Sequence, residues 1–147
     1  MLMLKTFTLD KIHQIAKSLI KEITKSKTKG AKIVTFSGDL GAGKTTLTKE
    51  VARLLGVKRE IVSPTFVIMK RYEIKNKNFK NLIHIDAYRL KNGGELLNLG
   101  FEEISQNKDN LIIIEWPEMV ADCLASVSHK VVLGHKDENT RSIEILL

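Results

Sequence analysis

Residues 38–45 read Gly-Asp-Leu-Gly-Ala-Gly-Lys-Thr and satisfy G-x-x-x-x-G-K-[ST] at every fixed position. Glycines at 38, 41 and 43 let the backbone curl so that its N–H groups point inward at a polyphosphate. Lys44 adds a point charge for the β- and γ-phosphates, and the Thr45 hydroxyl is a ligand for Mg²⁺. Such a loop joins a strand to a helix, and both flanks are legible. Ile33-Val34-Thr35-Phe36 reads as a buried strand running into it. Thr46 to Leu55 reads as a helix leaving it, with Leu47, Val51, Leu54 and Leu55 on the core side and Gly56 as its stop. A bound anion would therefore also meet a helix N-terminus.

Elsewhere the hydrophobic spacing outlines further elements. Ile12, Ile15, Ala16, Leu19, Ile20 and Ile23 recur at three- and four-residue steps, so 9–24 is an expected amphipathic helix with Thr8 as its N-cap. A Lys/Ser/Thr/Gly loop at 25–32 leads into the phosphate-loop strand. Val67 to Ile74 and Leu82 to Ile85 read as two strands around the turn signal Asn76-Lys77-Asn78, giving a β-hairpin. Residues 93–104 look like short helical pieces broken at Gly100. Leu111-Ile112-Ile113-Ile114 is a fully buried strand, and 130–134 and 141–147 are two more around Asp137-Glu138-Asn139. There is no internal repeat and no sign of a second domain.

A phosphate loop needs an acidic partner for its metal, usually at the end of a neighbouring apolar strand. Leu82-Ile83-His84-Ile85-Asp86 and Leu111-Ile112-Ile113-Ile114-Glu115 both have that form. The second run is the more apolar and the better central strand, so Glu115 is favoured on the metal, directly or through a water. Asp86 is then a second carboxylate near the γ-phosphate, orienting water or sensing the nucleotide. Ser63-Pro64-Thr65 lies where a switch segment would lie, with Thr65 able to approach the γ-phosphate or the metal; an ordinary turn is the alternative. Trp116 either shapes the site, faces a partner or packs as an ordinary aromatic. The four histidines show no metal-ligand spacing, and structural roles are their default reading.

Composition narrows the classes. The 147 residues are enough for one domain with a proper core, and no apolar run reaches membrane-spanning length. The start, Met-Leu-Met-Leu-Lys, soon turns amphipathic and does not read as a secretory signal. A single cysteine, Cys123, allows neither an intrachain disulfide nor a cysteine-based metal site. These features fit a reducing cytoplasm and no membrane. The net charge of +7 invites a nucleic-acid reading, but most of the basic residues are lysines spread along the chain, and aromatic residues for stacking on bases are few. A guanine-reading Asn-Lys-x-Asp is absent, since Asn107-Lys108-Asp109-Asn110 has its acid one place early. Only five arginines occur, with no arginine-rich insertion of the size of a kinase lid.

Five blocks follow one another: 38–46 (Gly-Asp-Leu-Gly-Ala-Gly-Lys-Thr-Thr), Ser-Pro-Thr-Phe (63–66), His-Ile-Asp-Ala-Tyr-Arg-Leu (84–90), Glu-Leu-Leu-Asn-Leu-Gly (95–100) and Glu-Trp-Pro (115–117). Together they resemble the TsaE family (older name YjeE), bacterial ATPases required for threonylcarbamoyladenosine (t6A) formation in tRNA. The resemblance covers nearly the whole chain and is far more specific than the loop alone. It implies a single α/β domain over 1–147: a P-loop, three-layer fold with a mixed, largely parallel sheet and an inserted β-hairpin. It implies ATP with Mg²⁺, and TsaB and TsaD as partners. TsaD would perform the transfer to adenosine-37 of tRNAs reading ANN codons, and the ATP cycle would reset the TsaB–TsaD complex. Contact with tRNA would be indirect or weak, through that complex. By position, Lys44 matches the phosphate lysine, Thr45 and Glu115 the metal ligands, and Asp86 the essential aspartate. Gly41, Ala42, Gly43, Lys44, Thr45 and Thr46 hold the nucleotide, with Arg141 beside it. Lys44, Asp86 and Glu115 are the expected catalytic set. Two stretches depart from the family. Residues 9–14 read Leu-Asp-Lys-Ile-His-Gln where an acidic residue and a threonine often border the nucleotide, and 118–128 lacks the prolines often found after Glu-Trp-Pro. Two other classes are compatible with the motif: an autonomous small-molecule kinase, and a tRNA-binding module with a secondary nucleotide site.

Overall fold

A computed structural model describes residues 3–61 and 67–146 of the chain. It opens with a strand the periodicity does not announce, β1 (Met3–Thr8), in which only Phe7 is buried. A 3₁₀ turn, Leu9–Lys11, leads into α1 (Ile12–Lys25). The helix thus begins three residues later than expected at position 9, and the Thr8 side chain makes no capping hydrogen bond. α1 buries Ile15, Ala16, Leu19 and Ile23, each of the large side chains contributing roughly 2 kcal/mol. Its last carbonyls are satisfied locally. Ser26 Oγ donates to Ile23 O at 2.8 Å, and Lys32 Nζ donates to the carbonyls of Ile23 and Thr24 at 2.8 and 3.1 Å. An ammonium at this end also suits the helix dipole.

β2 (Lys32–Ser37) feeds the phosphate loop, and α2 (Lys44–Leu54) leaves it. β3 (Met69–Glu73) and β4 (Asn81–Asp86) form the expected hairpin, paired antiparallel from Met69↔Ile85 to Glu73↔Asn81. α3 (Gly93–Leu97) and α4 (Phe101–Ser105) are the two short helices separated at Gly100. β5 (Asn110–Glu115) is buried throughout. A 3₁₀ stretch, Pro117–Cys123, breaks its geometry at Val120, and β6 (His129–His135) and β7 (Thr140–Leu146) close the chain.

The strands make one sheet in the order β1-β7-β6-β2-β5-β4-β3. Its centre, β6-β2-β5-β4, is parallel, while the β1-β7, β7-β6 and β4-β3 pairs are antiparallel. The fold is therefore the expected mixed α/β architecture with helices on both faces. Side chains alternate across it. Leu111 and Ile113 of β5, Leu82 of β4 and Val34 and Phe36 of β2 pack with α1 and α2. Ile112, Ile114, Ile83 and Ile85 pack the other way, against Leu96, Phe101 and Val120. Among the described residues no helix is long and apolar enough to cross a membrane.

The same alternation positions the polar residues. Continuing the α1/α2-facing series one step past Ile113 gives Glu115, and past Leu82 gives His84 and then Asp86. β4 and β5 are in register at Asp86↔Glu115, and β2 pairs Phe36 with Glu115. Two carboxylates and the phosphate loop thus meet at the carboxyl ends of the parallel strands, where open α/β sheets present their ligand crevice.

Candidate functional site

Three glycines of the loop, Gly38, Gly41 and Gly43, have positive φ. Gly38 has φ +146°, and a Cβ there would collide with the carbonyl oxygen of Leu133. Gly43 precedes α2 with φ +105°, a conformation that L side chains rarely adopt. Between them Ala42 N donates to Asp39 O at 3.0 Å, closing a turn. α2 then begins with Lys44 and Thr45, so both reactive side chains sit in its first turn.

Lys44 is only 5% exposed. Its ammonium donates to the carbonyl oxygens of Gly38 and, at 3.0 Å, of Asp39, and lies 4.2 Å from the centre of the Trp116 ring. Burial pushes its pKa below the ordinary lysine value, while the carboxylates of Glu115, Glu118, Asp39 and Asp86 oppose that shift. Two of these carboxylates, Asp86 and Glu115, line the cleft with Lys44, and among the described residues Arg141 is the other cation that borders it. A divalent cation bound with a polyphosphate would offset the charge of these carboxylates.

Thr45 Oγ1 donates to Glu115 Oε1 at 2.9 Å, and Glu115 is 2% exposed. The other carboxylate oxygen, Oε2, is bonded to His84 Nε2. Asp86 Oδ1 accepts from Tyr88 N at 3.0 Å, which holds the turn after β4. Trp116 takes φ +59°, stands against Tyr88 with ring centroids 5.0 Å apart, and closes one side of the site.

These groups line a cleft of about 470 Å³. Of the residues expected from sequence, Gly41, Gly43, Lys44, Thr45, Thr46, Asp86, Glu115 and Arg141 border it together. Ala42 does not: it is 1% exposed and packs into the core beneath the loop. Arg141 reaches the cleft from β7, with Nη1 donating to Asp137 O at 2.7 Å and Thr140 O at 3.0 Å, and with its buried Nε unpartnered among the described residues. The Ser-Pro-Thr-Phe block, including Thr65, lies outside the described residues. Leu9, Leu40 and Tyr88 were not singled out from sequence, yet they add apolar walls. His84, read as structural by default, is in contact with the central carboxylate. Its signal was faint: one imidazole among isoleucines, two residues before Asp86 and so on the same face.

The donor set suits Mg²⁺. Among the described residues no three His, Cys, Asp or Glu side chains gather to hold a metal. A cation at Thr45 and Glu115 would take its remaining ligands from phosphate oxygens and water, the usual arrangement for Mg²⁺.

Known proteins agree with this architecture. The family model for threonylcarbamoyl adenosine biosynthesis protein TsaE matches residues 7–143. The chain belongs to the TsaE family. A TsaE from Rickettsia felis is 42% identical over 115 residues, 78% of this chain and 64% of that protein's length. Its counterpart in Bacillus subtilis is 34% identical over 124 residues, 84% of this chain and 75% of the other. The crystal structure of Bacillus subtilis YdiB superposes with a TM-score of 0.66 at 28% identity, covering 97% of this chain and 84% of that one. The family match, the fold and the loop make this a nucleotide-binding P-loop member of a tRNA-processing family, whose name refers to t6A biosynthesis. In the TsaE frame, the first segment that departs in sequence borders the cleft through Leu9, and Glu118 of the second favours the charged form of Lys44.

Proposed function

We propose that this TsaE-family chain is a single-domain, Mg²⁺-dependent ATPase acting in the cytoplasm, whose ATP cycle resets the TsaB–TsaD complex during t6A formation at adenosine-37 of tRNAs reading ANN codons. The observation that carries the reading is the meeting of Lys44, Thr45 and Glu115 at the start of α2. Lys44 is held by loop carbonyls and is exchanged onto the β- and γ-phosphate oxygens when nucleotide docks on residues 41–46. Backbone N–H groups of the loop and the first turn of α2 complete the anion cradle. Thr45 and Glu115 would hold Mg²⁺, which supplies charge neutralisation across the phosphates when bound. Asp86, paired in register with Glu115, orients water on the γ-phosphate side. Arg141 and the wall formed by Leu9 fix the rest of the nucleotide. Trp116 and Tyr88 border the same cleft, and a rearrangement there changes the surface offered to the partner complex, as in other phosphate-gated switches.

The experiment is ATP hydrolysis by the purified chain, alone and with TsaB and TsaD, with Lys44→Ala as the blank. Slow turnover alone and clear stimulation by the pair is the expected result. Turnover indifferent to the pair would make the chain an independent nucleotide enzyme and end the partner-coupled reading.

A further inference from the structure

β4 is buried at every position from Asn81 to Asp86, and its interior otherwise reads Leu82, Ile83 and Ile85. In the middle of that run sits His84, 0% exposed, on the α1/α2 face. Burying an imidazole among aliphatic side chains is unfavourable unless its nitrogens are paired. Here one of them is not: Nδ1 is buried and has no partner among the described residues. Among the described residues, the hydrogen bond of the His84 ring runs from Nε2 to Glu115 Oε2. A carboxylate oxygen accepts, so Nε2 is the nitrogen that donates to Glu115. An aliphatic residue would remove the orphaned nitrogen but leave Glu115 Oε2 without this partner. What the imidazole adds is therefore its grip on Glu115.

That grip has a geometric consequence. Glu115 has two carboxylate oxygens in a nearly water-free position, 2% exposed. With Oε2 tied to β4, the remaining oxygen, Oε1, is turned toward Thr45 Oγ1 at 2.9 Å and toward the cleft. The chain His84–Glu115–Thr45 links β4, β5 and the first turn of α2. Without the imidazole, the carboxylate would be free to swing about its own side-chain torsions. Partners of this kind, behind a metal-binding carboxylate, commonly change metal affinity 10- to 100-fold when removed.

We propose that His84 is a positioning residue: it fixes the rotamer of Glu115 so that one oxygen faces Thr45 and a divalent cation bound with the nucleotide. The inference rests on the reading of Glu115 as the metal-side carboxylate. It is tested by calorimetric titration of the full chain with ATP, in EDTA and across Mg²⁺ concentrations, for wild type, His84→Phe and His84→Gln. The expected result is that His84→Phe folds and binds ATP in EDTA as wild type does. Its apparent Mg²⁺ affinity falls about 10- to 100-fold, and His84→Gln, which retains a donor, recovers most of that loss. A purely structural role predicts the reverse order, with Phe tolerated and Gln harmful. Unchanged Mg²⁺ affinity in a folded His84→Phe overturns the proposal.

A second measurement needs no substitution at His84. A long-range ¹H–¹⁵N spectrum of the wild type should show its hydrogen on Nε2, slow to exchange with water, and faster exchange in Glu115→Ala. An Nε2 that carries no hydrogen overturns the proposal even if the Phe variant does not fold. Wild type with no Mg²⁺ dependence of ATP binding removes the metal role of Glu115 and this inference with it. Wild type with that dependence and an indifferent His84→Phe removes this inference alone.

Discussion

The larger hollow on the molecule, about 690 Å³, lies beyond the end of α2 against the outer hairpin and is lined by residues 56–59, 71 and 73–75. The cleft over the phosphate loop is smaller, about 470 Å³. The larger one is rich in cations, yet its charged groups are exposed and occupied with their own framework. Arg71 donates to Asn81 Oδ1 at 3.1 and 2.9 Å, and Arg59 donates to the carbonyl of Arg71 at 3.0 Å while lying over the Tyr72 ring. In the smaller cleft Lys44, Asp86 and Glu115 are all less than a tenth exposed. Burying charge is unfavourable and is kept where it serves chemistry. Solvated lysines and arginines are an ordinary surface. Volume and charge alone would select the wrong hollow; buried charge at parallel strand ends selects the cleft.

The comparison breaks most sharply at the lysines. Lys44→Ala should weaken ATP binding at least ~100-fold, since it removes several charge-assisted hydrogen bonds at once. Lys58→Ala and Arg59→Ala should stay within about twofold, as expected for exposed charges. Equilibrium titration with ATP decides it. A large loss in the outer pair together with near wild-type affinity in Lys44→Ala would move the ligand to the larger hollow.

Within the cleft, a smaller effect separates gripping from turning over. Glu115→Ala should lower Mg²⁺-dependent hydrolysis by about 100-fold while leaving nucleotide binding in EDTA within about threefold. Lys44 retains its loop contacts in that variant, and one of the carboxylates opposing the phosphates is gone. Equal losses with and without Mg²⁺ would mean that Glu115 supports the loop rather than the metal.

How far these regions could be read in advance follows from what each depends on. The phosphate loop, its two flanking elements, the hairpin and the break at Gly100 depend on neighbours in sequence, through periodicity and punctuation, and they stand in the fold close to where they were expected. β1 depends on a distant partner. Leu4 is 67% exposed and only Phe7 is buried, so its hydrophobic pattern is faint, and the strand is held by backbone pairing with β7. The preference for 111–114 as the central strand rested on its apolarity, and β5 does lie beside β2 with β4 outside it. His84 was opaque for a related reason. Its contact with Glu115 exists only because β4 and β5 pair in parallel at one register, which neither strand encodes by itself. Arg141 came from the family resemblance, since nothing local to β7 points to the cleft.

The mildest prediction concerns the opposite end of the sheet, which should alter stability and leave the cleft alone. His129 opens β6 and pairs with Val34, whereas the phosphate loop leaves β2 after Ser37. It is 1% exposed, and its Nδ1 is buried without a partner among the described residues. Burial pushes its pKa below 6.5; Glu22 opposes that shift and Lys32 adds to it. A depressed imidazole binds its proton later in the folded chain than in the unfolded one. As pH falls through 6.5 toward the folded value, the unfolded state gains protons first, so stability declines across that window and levels off below it. His129→Gln should flatten this part of the profile, read as the urea midpoint between roughly pH 8 and pH 5. ATP affinity at neutral pH should not change, because no atom of His129 borders the cleft. A variant that keeps the full acid decline would assign it to another group. A variant that loses ATP affinity would show that the two ends of the sheet are coupled, so that the loop's geometry is set by more of the fold than the strand ends beneath it.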